Sequence, residues 1–197
     1  EDIPNDVDVI VYSKAWDSMF PDFMKEVRAL NIPLFSYPEV LGLVSKEKYT
    51  IAVSGTHGKT TTTAMVATIL EKAGLDPTAI VGSLVHDWHS NYRAGKSKYL
   101  VVEADEYKRA FLNLSPKILV ITNIDNDHLD YYKDLADIQS AFSELVSKVS
   151  PDGFLICNPS DPNVATEVAN LSARIIDYKK GDLQNIQLKF PGTHNIE

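Results

Sequence analysis

Between Tyr49 and Leu70 the chain reads YTIAVSGTHGKTTTTAMVATIL, and no other stretch narrows the possible folds as far. Ile51, Ala52 and Val53 are a short apolar run suited to a strand buried on both faces, and Gly55 and Gly58 bracket the turn that follows. Ala64, Val66, Ile69, Leu70 and Ala73 then recur at helical spacing until Gly74 supplies a stop. A strand, a tight glycine turn and a helix make a phosphate site. The turn's backbone amides and the positive end of the helix converge on an anion. Lys59 adds a mobile positive charge for terminal phosphates, and the Thr60 hydroxyl is placed to hold Mg2+. The turn is a shortened variant: in the general phosphate-loop pattern the first glycine lies about five residues before the second, whereas that position here is Val53. A chance Gly-Lys-Thr turn would need neither the strand nor the helix in register with it.

The same alternation of strand and helix continues along the chain. Strands are expected at Thr50–Ser54, Thr78–Val81, Tyr99–Glu103, Lys117–Thr122, Phe154–Cys157, Arg174–Tyr178 and Ile186–Phe190. Helices are expected at Lys59–Ala73, Leu135–Val149 and Pro162–Leu171, the last with Asp161 as N-cap and Pro162 at its first position. The pattern implies an α/β fold with a mostly parallel open sheet, whose ligands collect at the carboxyl ends of the strands. Before it, Val7–Tyr12, a helical face of Phe20, Phe23, Met24, Val27 and Leu30, and Pro33–Ser36 form a strand, helix, strand crossover. Those few elements cannot bury both faces of a layer. Residues 1–48 therefore read as the tail of one domain, with the polar Ser45–Lys48 as linker, and residues 49–197 as a second domain.

Two further constellations fall at strand ends. Glu103 closes the strand in YLVVEADEY, where a carboxylate facing a phosphate loop completes the Mg2+ shell begun by the threonine. Asp105 and Glu106 suit either water-mediated ligands or solvated surface charges, and the surface reading is preferred for both. In TNIDNDHLDYY, His128 lies among Asp125, Asp127 and Asp130. A histidine there can bind a second metal or touch a transferring phosphoryl group, and the same residues equally suit an acidic loop of turn formers. His86, His89 and Trp88 lack ligand spacing and read as loop or packing residues.

The formal net charge of -8 argues against non-specific nucleic-acid binding, and no basic run appears. A single cysteine, Cys157 in the apolar run FLIC, reads as a buried core residue and fits a reducing, cytoplasmic setting. No stretch approaches a membrane span.

Taken together and in order, GTHGKTTTTAM, EADEYKRAFLNLSP, TNIDNDHLDYY and the terminal PGTHN resemble the Mur ligase family of peptidoglycan synthesis. The shortened glycine loop is a feature of that family. The resemblance covers nearly the whole chain and implies a central ATPase domain preceded by the second half of a Rossmann-like, UDP-substrate-binding N-terminal domain. It implies ATP and Mg2+ as cofactors, with Gly55, Thr56, His57, Gly58, Lys59, Thr60 and Thr61 on the ATP phosphates. Thr60 and Glu103 would hold one metal, His128 a second, and His194 and Asn195 would lie near the adenine and ribose. Lys59 and His128 are the implied catalytic residues.

Several family members carry a carbamylated lysine about a helix's length after the motif histidine, and DLADIQSAFSEL contains none. That favours the alanine-adding member, whose small-molecule substrates are UDP-N-acetylmuramate and L-alanine, joined through an acyl phosphate. A murein tripeptide recycling ligase acting on the same sugar nucleotide shares EADEY and stays open, as does a non-catalytic nucleotide-binding module. Folate polyglutamylating ligases fit EADEY and NDH followed by LD less well. The family's UDP-gripping glycine loop and its C-terminal domain have no counterpart here, so the chain is expected to be a fragment that does not turn over alone.

Overall fold

The computed structural model describes residues 3–4, 6–168 and 172–181, and among these the chain builds two sheets. The smaller pairs β1 (Ile10–Tyr12) in parallel with β2 (Leu34–Ser36). Between them run α1 (Trp16–Met19) and α2 (Pro21–Ala29), and α2 buries Met24 and Val27. This is the expected crossover, although Phe20 and Leu30 flank the helix and stay exposed. An apolar groove of about 560 Å3 runs beside β1, lined by Val9, Val11, Trp16 and Phe23 among others, with no carboxylate, histidine or lysine among the described residues.

The polar stretch Ser45–Lys48 is not an extended linker. Ser45, Lys46 and Glu47 are the last turn of α3 (Tyr37–Glu47), which opens on a capping box. The Ser36 backbone N–H and hydroxyl both donate to the Glu39 carboxylate, at 2.7 and 2.6 Å, and hold it below the usual carboxylate range. Ser45 itself is buried: its hydroxyl donates to the Gly42 carbonyl at 2.7 Å and accepts from the Ser115 amide at 3.0 Å. The Thr50 hydroxyl donates to the Ser45 carbonyl at 2.8 Å. A serine that reads as solvated in sequence thus fastens α3 to the larger sheet.

The larger sheet has seven strands in the order β5-β4-β6-β3-β7-β8-β9. β3 (Tyr49–Ser54), β4 (Thr78–Val85), β6 (Tyr99–Glu103), β7 (Ile118–Ile121), β8 (Phe154–Cys157) and β9 (Arg174–Asp177) are parallel, with β3 central between β6 and β7. β5 (Ser90–Arg93) is an antiparallel edge strand hairpinned onto β4. It went unpredicted because SNYR has no apolar alternation. The expected strand Ile186–Phe190, like His194 and Asn195, lies outside the described residues.

Helices cover both faces of this sheet, as a parallel sheet requires. α5 (Leu135–Ser147) buries Ile138, Ala141, Phe142, Leu145 and Val146 against Leu119 and Ile121 of β7 and Leu155 and Cys157 of β8. The Asp134 side chain caps its first turn by accepting from the Asp137 amide. α6 (Pro162–Val168) follows the expected start: the Asp161 carboxylate accepts from the Asn163 amide at 2.9 Å.

On the opposite face, α4 (Lys59–Lys72) packs Val66, Ala67 and Leu70 over Ile51, Ala79 and Val101. Its buried stripe includes Thr63 and Ala67, so Ile69, expected on that stripe, is 62% exposed. The helix stops where Gly74 takes φ +76°, with its amide on the Glu71 carbonyl and the Leu75 amide on the Leu70 carbonyl.

Candidate nucleotide and metal site

The carboxyl ends of β3, β6 and β7 lie side by side, and each delivers one constellation. After Ser54 the chain has four residues, Gly55 to Gly58, before α4 begins at Lys59. Gly55 and Gly58 take φ of +131° and +82°, which L-residues with a Cβ rarely adopt. A Cβ on Gly55 would sit 2.1 Å from the Thr122 hydroxyl, so this glycine is required by space as well as by backbone. Gly58 offers α4 no side-chain cap. No side chain at Gly58 therefore competes for the orphan amides of that first turn, which an anion site needs free. Thr56, His57, Gly58, Lys59, Thr60 and Thr61 line one cleft of about 300 Å3.

The loop is held from below by residues that motif reading did not single out. The Asn123 side chain accepts from the His57 amide at 2.9 Å and donates to the His57 carbonyl at 3.1 Å. Its backbone carbonyl accepts from the Thr56 amide at 3.1 Å, and the Thr122 hydroxyl donates to the His57 carbonyl at 2.6 Å. Thr56, only 7% exposed, closes the set: the Asp125 amide donates to its hydroxyl at 2.8 Å. Asn and Thr straight after an apolar strand, one that pairs with the strand carrying the glycine loop, were the available signal.

Lys59 reaches back into the loop. Its ammonium donates to the Gly55 and Thr56 carbonyls at 2.7 and 3.1 Å and to Glu106 Oε1 at 2.8 Å. Glu106 is therefore no surface charge, contrary to expectation: the residue is 2% exposed. Burial pushes its carboxyl up from the ordinary value, against the pull of Lys59. Sequence favoured the surface because a strand-end Asp-Glu pair usually faces water. Here the short 3-10 segment Tyr107–Asn113, kinked where Lys108 and Arg109 take positive φ, turns the chain so that Glu106 points inward. The Tyr132 hydroxyl, itself buried, pins that turn by donating to the Glu106 carbonyl at 2.5 Å.

Glu103 ends β6 as predicted and accepts from the Thr60 hydroxyl at 2.8 Å. His128 Nε2 lies 3.4 Å from Glu106 Oε1, and its ring packs against Tyr107 at a centroid distance of 5.0 Å. Lys59, Thr60, Glu103 and His128 are thus brought to one place, with Glu106 the shared neighbour of Lys59 and His128. The Glu106 Oε2 atom is buried and, among the described residues, has no hydrogen-bond partner. Asp105, Glu106 and His128 each offer a ligand atom, all within 4.8 Å of one another. Two carboxylates and an imidazole, one oxygen of them unsatisfied, fit a divalent cation. Among the other expected residues, Asp125, Asp127 and Asp130 serve as turn formers or partners: Asp127 accepts from the His128 amide and Asp130 from the Tyr107 hydroxyl.

This strand–glycine loop–helix, with a carboxylate at the end of the neighbouring strand on one side and an imidazole in the loop after the neighbouring strand on the other, lies in a segment, residues 53–195, that is matched by the model of the Mur ligase middle domain. The chain belongs to the Mur ligase family. Its similarity to named Mur ligases is extensive: it is 46% identical over 193 residues to the UDP-N-acetylmuramate--L-alanine ligase of Clostridium tetani, covering 96% of this chain and 42% of that protein. The corresponding ligase of Borreliella burgdorferi is 40% identical over 185 residues, 92% of this chain and 40% of that one. The chain spans about two fifths of the length of the curated relatives it matches. Among solved structures, the UDP-N-acetylmuramate-alanine ligase of Thermotoga maritima superposes with a TM-score of 0.70 at 30% identity, covering 83% of this chain and 38% of that one. The UDP-N-acetylmuramate:L-alanyl-gamma-D-glutamyl-meso-diaminopimelate ligase of Neisseria meningitides gives 0.75 at 29%, covering 86% and 57%. The mostly parallel seven-stranded sheet with its shortened loop is the Mur ligase middle-domain fold. No helix among the described residues is long and apolar enough to cross a membrane.

Proposed function

We propose that this site binds ATP with Mg2+ for an acid–amino-acid ligase that joins L-alanine to UDP-N-acetylmuramate in peptidoglycan precursor synthesis. The observation that carries the reading is the convergence of Lys59, Thr60, Glu103, Glu106 and His128 at one set of strand ends beside a preformed glycine loop. Residues 1–48 then belong to the UDP-substrate domain and residues 49–197 to the ATP-binding domain. His194 and Asn195, at the edge of the matched segment, would lie near adenine and ribose.

In the proposed reaction the lactyl carboxylate attacks the γ-phosphorus, the bond to the β-γ bridging oxygen breaks, and ADP leaves. The amino group of L-alanine then attacks the acyl carbon, loses a proton and expels phosphate. Such transfer needs positioning and charge neutralisation more than covalent help from the protein. The loop amides and Lys59 neutralise the β and γ groups. Thr60 with Glu103 would hold one Mg2+, and His128 with Glu106 and Asp105 a second. Bound Mg2+ supplies Lewis-acid neutralisation of the phosphate oxygens. Because Lys59 is tied to two loop carbonyls, its ammonium is oriented before nucleotide arrives, which lowers the reorganisation needed at the phosphoryl-transfer step.

A substrate-panel ligase assay on the intact polypeptide tests this. The expected result is ADP release that depends on both UDP-N-acetylmuramate and L-alanine, is lost in Lys59→Ala, and is lost in His128→Ala while ATP affinity is largely kept. Preference for a murein tripeptide over L-alanine would assign the recycling reaction instead. ATP binding with no acceptor-dependent ADP release would reduce the protein to a nucleotide-binding module.

A further inference from the structure

We infer that Gly82 is a positioning residue of this site: its amide clamps the Glu103 carboxylate, and its missing Cβ is the space that carboxylate occupies. The inference rests on reading Glu103 as the metal carboxylate. β4 pairs with β6 only from Thr78 to Ile80, opposite Leu100 to Val102, yet runs on to Val85. Its overrun carries the Gly82 backbone alongside the tip of Glu103. The Gly82 amide donates to Glu103 Oε2 at 2.5 Å while the Thr60 hydroxyl donates to Oε1 at 2.8 Å. One carboxylate is thus held between two donors from different elements, its plane set for whatever Thr60 also touches.

A Cβ built on Gly82 would lie 2.6 Å from both carboxylate oxygens and 2.7 Å from the carbon between them. No real contact is that short, so a side chain here must displace the carboxylate. Gly82 is exposed, and its φ is not in the left-handed region, so alanine fits the backbone. Only the end of a flexible glutamate has to give. The expected consequence is a folded protein whose Glu103 has turned away from Thr60. Glycine inside a strand often marks a close approach of this kind, and groups that orient metal ligands matter nearly as much as the ligands.

The test uses the intact polypeptide with ATP present and Mn2+ as the probe, followed by its electron paramagnetic resonance. Gly82→Ala should raise the half-saturating Mn2+ concentration by about tenfold, with ATP affinity in chelator and the thermal midpoint without ligands near wild type. In a Glu103→Ala background, adding Gly82→Ala should change nothing further, because the carboxylate it displaces is gone. Half-saturation within about twofold of wild type, or an equal penalty in the Glu103→Ala background, overturns the inference. If Gly82→Ala does not fold, recovery of folding in the Glu103→Ala double variant supports the clamp and failure of both overturns it. The underlying reading fails on a separate result, wild-type protein that takes up no Mn2+ in the presence of ATP.

Discussion

Glu106 shows how much one side chain's setting matters. Its carboxylate is 3% exposed and paired with a Lys59 side chain that is 13% exposed, so neither charge has much water to fall back on. Removing one partner of such a pair strands the other, at a cost of about 3 kcal/mol, whereas replacing both by apolar groups costs far less. We therefore expect Glu106→Ala to lower the urea unfolding free energy by about 3 kcal/mol and Lys59→Met with Glu106→Leu to lower it much less; near-identical losses would show that Lys59 is solvated instead.

Cys157 gives a complementary case. Burial pushes its thiol up to about 11, and the side chain packs in the α5 core. The thiolate is the reactive form, so iodoacetamide at neutral pH should leave Cys157 unmodified in the native protein and label it in urea. Rapid native labelling would contradict its place in the core.

At the level of elements, short-range signals were legible where one element contains its own instructions. The glycine loop, the Gly74 stop and the Asp161 start stand where their residues put them, because capping and left-handed glycine depend on neighbours within a few positions. The capping box Ser36-Tyr-Pro-Glu39 opens α3, a helix missed in sequence because the polar composition of its last turn reads as a linker.

α5 adds a pH dependence. Asp137, in its first turn, accepts from the Lys133 amide and from Arg109 at 2.7 Å, and these bonds hold its carboxyl below the ordinary value of 3.8. A lowered folded value means that the stabilisation is present above the ordinary carboxylate range and is lost as pH falls through the folded value. The thermal midpoint should therefore drop between about pH 5 and about pH 3, and drop less in Asp137→Asn. An unchanged acid slope in that variant would assign the loss to other carboxylates.

For the molecule as a whole, the decisive contacts join residues far apart in sequence. A Cβ on Gly42 of α3 would lie 2.6 Å from the Asn113 backbone carbonyl. In an isolated helix Gly→Ala is stabilising by about 0.5–1 kcal/mol; against an unyielding carbonyl it should instead be destabilising by about 1–3 kcal/mol. Chemical denaturation of Gly42→Ala reads the sign directly, and a stabilised variant would mean that α3 is free to slide on the larger sheet.

Sequence by itself determined the glycine loop, the alternation of strands and helices, the position of Glu103 at a strand end and that of His128 in the loop after another, because periodicity, glycine geometry and capping are local properties. Only the tertiary structure decided that Glu106 turns inward, that Thr122 and Asn123 carry the loop, that Gly82 lies against Glu103 and that Ser45 fastens α3 to the larger sheet. Each of these depends on which strands become neighbours, and strand order is set by how the whole chain buries its apolar faces.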